Sequence, residues 1–559
     1  MSPELGRANG VAASELKTLT VVPAASKQGL NEDEENIGTW LCEKGPYQKY
    51  IAALSKFNPG LKSPDPANKK HVTPKPNNAT VVLLETENNG KPNFKKEQFK
   101  NLAKLKEHFD TTGKEHDKRR VYIMEGLAPE YVSVIGGHFF MDPSFFQRQE
   151  RTCVWSNEFT PTSDALPQPS LLNPDKTFQI QYCELRHFKE NMSNFPYFCT
   201  RTGRHVGMTN PRASEGFEGS TTGILRRKLG FWCRKTGNSG WDAIILCDPQ
   251  LFEVVKPGGK PRETKNEAFQ DGYIDFVPPP SHEAVLSGTV KDHPHESMLK
   301  DLCHYFENYS AALTSADWPD PWANPTTASF FMKKIVTAHS LQLVDYIKAM
   351  LPSLELHLTT AWVDEQDQWK SLQTISRRCG NYRDDMEDTL LSLGYPLKEP
   401  DSKSVRQWTD CEKDFQYIYF RLGVLKSRAD TLMQAMTGLA SIAGNRQNLE
   451  EAKRVKRLNL LALLFIPLAY TSSLFSMQDK YAPGENQFWI YWASAVPAIA
   501  FTFFATWVLD SALDDAAQWK GWWRIWEKVR DLGKGKKGPV MRAPLKRGGR
   551  SMTIYGGRQ

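Results

Sequence analysis

Side chains able to do chemistry fall in three places. The run KDHPHES carries Asp292, His293, His295 and Glu296, a nitrogen and oxygen donor set that suits a transition metal. A polar loop next to Pro294 is nevertheless the reading the sequence favours. Asp364, Glu365 and Asp367, then Asp384, Asp385, Glu387 and Asp388, make two acidic clusters at helical spacing, either cation sites or solvated faces. The third place is Ser476-Met477-Gln478, which closes a long uncharged stretch and is followed by a loop with Asp479 and Glu485 against Lys480. Net −1 per chain, repeated around an axis, attracts cations modestly. No Walker loop, HExxH, GxGxxG or nucleophile elbow is present, so no catalytic residue is assigned, the chain reads as a non-enzyme, and ATP-driven pumping is disfavoured. Nine scattered cysteines without a CxxC fit reduced, buried thiols rather than a disulfide framework or zinc site. His205, within RTGRHVG, has no evident partner and stays unassigned.

The elements that must position these groups include two for a bilayer. Residues 458–478 and 486–509 contain no Asp, Glu, Lys or Arg, and roughly 20 apolar residues cross a hydrocarbon core. Two transmembrane helices, 458–478 and 488–509, therefore form a tight hairpin within a segment spanning 458–513. Arg446, Lys453, Arg454, Lys456 and Arg457 precede the first span, and residues 514–559 hold 12 basic and 4 acidic side chains. The positive-inside rule then puts both termini in the cytosol and the loop outside or in a lumen. The first twenty residues resemble neither a secretory signal nor a mitochondrial presequence, and plasma membrane is the default address. That tail accounts for +8 of the net +7, leaving −1 for the rest, so no nucleic-acid partner is indicated. Trp519, Trp522, Trp523 and Trp526 share one face of a predicted helix, read as lying at the inner interface ahead of a basic cytosolic tail.

Further upstream, residues 1–117, rich in Pro, Asn and Lys from Asn58 on, are expected to form a variable, partly disordered arm. Residues 118–320 read as an α/β domain: RVYIMEGL, FQIQYCELRHF, LGFWCR, WDAIILCD and LFEVV are strand-like, the third and fourth a hairpin across KTGNSG. The stretch around ADWPDPWANP reads as a polar loop. Residues 326–457 form a helical stalk, interrupted at Pro352, whose last helix is expected to run from Lys403 through Gln478, on the order of 110 Å. Gly423, Gly438 and Gly444 are positions where it could bend.

One hairpin encloses nothing, so a pore built from it needs several chains around an axis. Apolar positions recur every three or four residues through Leu449, Ala452, Val455, Leu458, Ala462, Ile466, Ala469 and Ser473, a coiled-coil-like stripe suited to facing that axis.

The segment EEAKRVKRLNLLALLFIPLAYTSSLFSMQ, with its long preceding helix, a second span nine residues later and a basic tail, resembles the CorA-like divalent metal transporters and is most similar to their large fungal branch. RRVYIMEGL and MDPSFF resemble that branch more loosely. The resemblance implies an α/β cytosolic domain, a long α-helical stalk and a two-helix transmembrane hairpin, assembled as a homopentameric funnel. It implies an ion channel for Mg²⁺, or Zn²⁺ and related ions, and, by position relative to Met477, a pore lined by Val455, Leu458, Ile466, Ala469 and Gln478. In the family the signature is Gly-Met-Asn; here Ser476, Met477 and Gln478 stand in its place. Gln478 keeps the carboxamide but adds a methylene and a torsion. The first three pore positions would be hydrophobic constrictions, although packing of a helix bundle explains them equally. The family's regulation by divalent ions between cytosolic domains would fall on the two acidic clusters, with no individual ligands assigned.

Neither span holds a charge of the kind proton-coupled carriers use, which favours passive flow. The expectation is magnesium transport, or metal ion transport more widely, through a homo-oligomer in a lipid bilayer. No cofactor is expected beyond a transported or regulatory divalent cation, Mg²⁺ first. The alternative is a non-conducting, membrane-anchored interaction or metal-sensing protein on the same scaffold.

Overall fold

A computed structural model describes residues 37–512, except 66–76, 87–91, 112–116, 152–166, 194, 210–220, 238, 289, 291–292, 316–318, 358–364, 401–406, 477–482 and 485. It divides into two compact units, Met1–Met436 and Thr437–Gln559.

The first unit is built on strands β1 (Thr80–Thr86), β2 (Lys95–Gln98), β3 (Arg119–Glu125), β4 (Thr177–Phe188), β5 (Tyr197–Cys199), β6 (His205–Thr209), β7 (Thr221–Thr236), β8 (Gly240–Cys247), β9 (Glu253–Val255), β10 (Arg262–Glu263) and β11 (Asn266–Ala268). They form one sheet in the order β10-β9-β5-β6-β7-β8-β3-β1-β2, with β4 on the other edge of β7 and β11 beyond it. Among the described strands only β3 and β8 pair in parallel; β7 and β8 are the predicted hairpin, with Leu229 opposite Cys247 and Thr236 opposite Gly240.

Period-2 alternation splits the sheet's side chains between two cores. Val82, Leu84, Val121, Ile123, Ala243 and Ile245 face one; Val81, Leu83, Tyr122, Met124, Ile244 and Leu246 face the other. With both faces covered, β8 is buried along its whole length, which is why WDAIILCD reads as a continuous apolar run. The second face is covered by helices α1 (Pro46–Leu54), α2 (Leu102–Thr111), α3 (Pro129–Phe139) and α4 (Ser144–Glu150). After the short helix α5 (His282–Leu286), the first face is covered by α6 (Met298–Tyr309), α7 (Phe330–His357), α8 (Glu365–Ser392) and the start of α9 (Cys411–Phe475). The second unit holds the rest of α9 and α10 (Phe488–Ala512).

Four expectations need correction. The arm assigned to residues 1–117 gives way, from residue 37 on, to part of the sheet domain. β1 pairs with β3 from Thr80–Glu125 to Thr86–Arg119, and the Tyr47 hydroxyl donates to the Met141 carbonyl at 3.0 Å. Gly136 makes that docking possible, because a Cβ there would lie 2.4 Å from the Tyr47 ring. Composition hid this, since the polar loops outweigh the apolar TVVLLET between them. The loop around Trp322 is no solvated linker either: Trp322 is fully buried. The break placed at Pro352 falls elsewhere, α7 continuing to His357. The last helix starts at Cys411 rather than Lys403, because Asp410 accepts the Lys413 N–H at 3.2 Å and caps it; it runs through Gly423, Gly438 and Gly444 without interruption.

Candidate functional site

α9 and α10 are both long and apolar enough to cross a membrane, and only 11% and 6% of their most apolar windows are buried. A core helix of a soluble domain would be covered, so these apolar surfaces fit a hydrocarbon surround.

Within the second unit, the least exposed positions of α9 are informative. Pro467 and Thr471 are buried, and Phe475 meets Tyr491 of α10 edge-on at 6.1 Å. These three recur at i, i+4 and i+8, one line along the helix. The Thr471 hydroxyl donates back to the Pro467 carbonyl at 3.0 Å, which keeps it satisfied inside an apolar span. On α10, Tyr491 makes the contact with Phe475, and Ala495 is buried one turn further along.

Val455, Leu458, Ile466 and Ala469 are exposed on α9. At 100° per residue they fall within an arc of about 80°, centred about 180° from the Pro467–Thr471–Phe475 line. Lys453, Arg454, Lys456 and Arg457 each lie about 80° or more from that centre. The stripe is therefore uncharged, on the side of α9 opposite Phe475, and flanked by cations at its N-terminal end. Ser476 follows the last helical residue, its hydroxyl donating to the Ser473 carbonyl at 3.0 Å. Met477, Gln478, Asp479 and Glu485 lie outside the described residues, as does the helix of Trp519, Trp522, Trp523 and Trp526.

The acidic clusters separate in the structure. Asp364 is outside the described residues, as are the side chains of Glu365 and Asp367. In the second cluster Glu387 accepts the Tyr419 hydroxyl at 3.1 Å, and Arg383 also reaches that hydroxyl at 2.9 Å, so this part joins α8 to α9. Burial pushes the Asp385 carboxyl up to about 7, with Arg226 opposing and Asp388 adding to the shift.

The histidine loop is drawn inward instead. His293 and His295 lie beside Asp301 of α6, with one ligand atom from each within 4.8 Å of the others. Glu296 points away and pairs with Lys300; Asp292 is outside the described residues. Asp301 was not legible as a partner, being separated from His295 by a Ser297-capped helix start. His205 packs edge-on against Phe198 at 5.7 Å. The eight described cysteines are all buried.

No protein-family model matches the chain, and no curated protein matches it. Among solved structures, it is similar to the CorA magnesium transporter from Methanocaldococcus jannaschii, at 10% identity and a TM-score of 0.32 over 76% of this chain and 96% of that one. It is similar to the full-length CmaX protein at 10% identity and a TM-score of 0.32, over 77% and 98%. The functional reading rests on the chain's own residues.

Proposed function

We propose that the protein is a membrane-embedded homo-oligomer, a pentamer in the CorA-like manner, that lets divalent cations, Mg²⁺ first, pass down their electrochemical gradient into the cytosol. The observation that carries the reading is the uncharged stripe of Val455, Leu458, Ile466 and Ala469 on the side of α9 opposite α10. A face that the hairpin leaves uncovered, continuous with a soluble helix, is where copies of the chain would meet around an axis. Apolar rings suit an ion that dehydrates reluctantly and keeps its waters, and they close by dewetting. Gln478 would supply the carboxamides at the outer mouth, with Asp479 and Glu485 drawing cations toward it. The CorA-like signature is altered at Ser476 and Gln478, so selectivity rather than conduction is where this chain departs from the family it resembles.

The test is flux in proteoliposomes loaded with a Mg²⁺-sensitive dye, together with the mass of the purified particle in mild detergent. Oligomers with Mg²⁺ influx that Ile466→Asn alters support the reading, because a polar ring at that level hydrates the constriction. Oligomers without flux of Mg²⁺, Zn²⁺ or Co²⁺ would sink it in favour of a non-conducting scaffold.

A further inference from the structure

A second site lies within the sheet domain, and its argument stands whether or not the spans conduct. His293 and His295 are brought face to face by a turn in which His295 adopts the left-handed conformation, φ 45°. Their rings are 3.8 Å apart at 34°. Two imidazolium ions at that separation would repel strongly. Burial is the first cause that holds both imidazoles below their ordinary range, His293 down at about 3. Neutral imidazole is the ligating form.

Asp301, 3% exposed in the first turn of α6, closes the group. Its Oδ2 accepts the Tyr273 hydroxyl at 3.0 Å, while its Oδ1 is buried with no hydrogen-bond partner. His295 Nδ1 and, from α7, His339 Nδ1 are likewise buried and unpartnered. His295, Asp301 and His339 line one small cavity of about 10 Å³, enough for a single water or ion. Three heteroatoms without protein partners around one small cavity are costly to leave unsatisfied. A cation accepting their lone pairs removes that cost at once.

The surroundings hold these groups in place. Tyr273 also lies 3.2 Å from His293 Nε2 and the backbone N–H of His295 donates to His293 Nδ1 at 3.1 Å, so His293 must give up one of these two contacts to ligate an ion. The Arg186 guanidinium donates to the carbonyls of His295 and Glu296, its charge offset by Glu184 at 3.0 Å. Gly272 lets the neighbouring backbone approach, since a Cβ there would sit 2.5 Å from the His295 ring. Such outer contacts are what orient ligands at metal sites.

We propose that His293, His295 and Asp301 bind one borderline-soft transition-metal dication of the Zn²⁺ class, with His339 as the fourth donor, pinning the histidine loop to α6 and α7. Two imidazoles and a carboxylate favour such an ion over Mg²⁺ or Ca²⁺, which prefer all-oxygen shells. Tetrahedral bonds of 2.0–2.1 Å set ligand atoms about 3.4 Å apart. From a widest spacing of 4.8 Å among His293, His295 and Asp301, side-chain rotation of about an ångström and a half brings these three to bonding distance. His304, T-shaped against His293 at 4.9 Å and hydrogen-bonded to Asn308, stays outside it.

The test uses the purified full-length chain in detergent, stripped with a chelator, then titrated with Zn²⁺ against a chromophoric competitor and, separately, with Co²⁺ read by visible absorption. Expected are one tight equivalent per chain and the intense visible bands of four-coordinate Co²⁺. His293→Ala, His295→Ala and the near-isosteric Asp301→Asn should each weaken Zn²⁺ at least tenfold, while His304→Ala leaves it unchanged. A weak, six-coordinate Co²⁺ spectrum in the unmodified chain would overturn the assignment. So would Zn²⁺ affinity that survives all three ligand substitutions, which would place the ion elsewhere, the transmembrane route included. Mg²⁺ flux is measured independently, so either reading can fail alone.

Discussion

Replacing Trp322 tests how the sheet's first face is sealed. The indole is fully buried, with Phe94 at 4.8 Å, Phe306 at 5.7 Å and Phe331 at 6.4 Å between ring centroids. Its Nε1–H donates to the Ser310 carbonyl at 3.1 Å, and its own carbonyl accepts from Trp241 Nε1 at 2.7 Å. Burying an indole removes roughly 150–250 Å² from water, worth about 4–6 kcal/mol at about 25 cal/mol per Å². Trp→Ala in a core costs about 3–5 kcal/mol after partial relaxation. Phe in its place keeps most of the ring packing but leaves the Ser310 carbonyl unpaired, about 1–2 kcal/mol. For a large domain, each kcal/mol shifts the midpoint by about 2 °C. Trp322→Ala should therefore lower the unfolding midpoint of the sheet domain by about 6–10 °C, and Trp322→Phe by about 2–4 °C. The assay is thermal unfolding of the detergent-solubilised chain followed by intrinsic fluorescence. Equal falls for the two variants, or less than about 3 °C for Trp322→Ala, would refute the packing argument.

Three further outcomes follow from named contacts. Lys334, 4% exposed, donates to Asp414 at 2.5 Å and so ties α7 to α9; Asp414→Asn should cost about 1–3 kcal/mol, the carboxylate being partly open to water. Adding Lys334→Met should recover most of that loss in the same melt, because no ammonium is then left buried. Burial alone would raise the Glu184 carboxyl, but Arg227 and Arg186 outweigh it and hold it at about 2 against an ordinary 4.5. Its stabilising effect is thus complete above pH 4.5 and is lost as pH falls toward 2; acid titration of Glu184→Gln should show a shallower loss across that window. Gly136→Ala forces a Cβ into the Tyr47 ring, an overpacking cost of about 1–3 kcal/mol, and should open residues 37–61 to limited proteolysis while the rest of the domain stays resistant.

What the amino-acid order determined on its own is whatever depends on one periodicity or on the absence of charge. Two uncharged stretches of bilayer length, 458–478 and 486–509, read as membrane-length helices, since length and transfer free energy are local sums. Strands β3, β4, β8 and β9 and the β7–β8 hairpin were legible because alternation and turn composition are local too, whereas β5, β6 and the first half of β7 were not. The tertiary structure alone decided what depends on residues far apart meeting. TVVLLET became a sheet strand because β3 was there to pair with it, and Trp322 became a core residue because four aromatic side chains from other elements enclosed it. Asp301 came beside His293 and His295 only through the packing of α6 against α7 and of α7 against β4. In the same way, only the structure showed that Phe475 of α9 meets Tyr491 of α10, with Val455, Leu458, Ile466 and Ala469 on the opposite side of the helix. Burial and unsatisfied polar atoms are properties of a packed environment, which no single window of sequence contains.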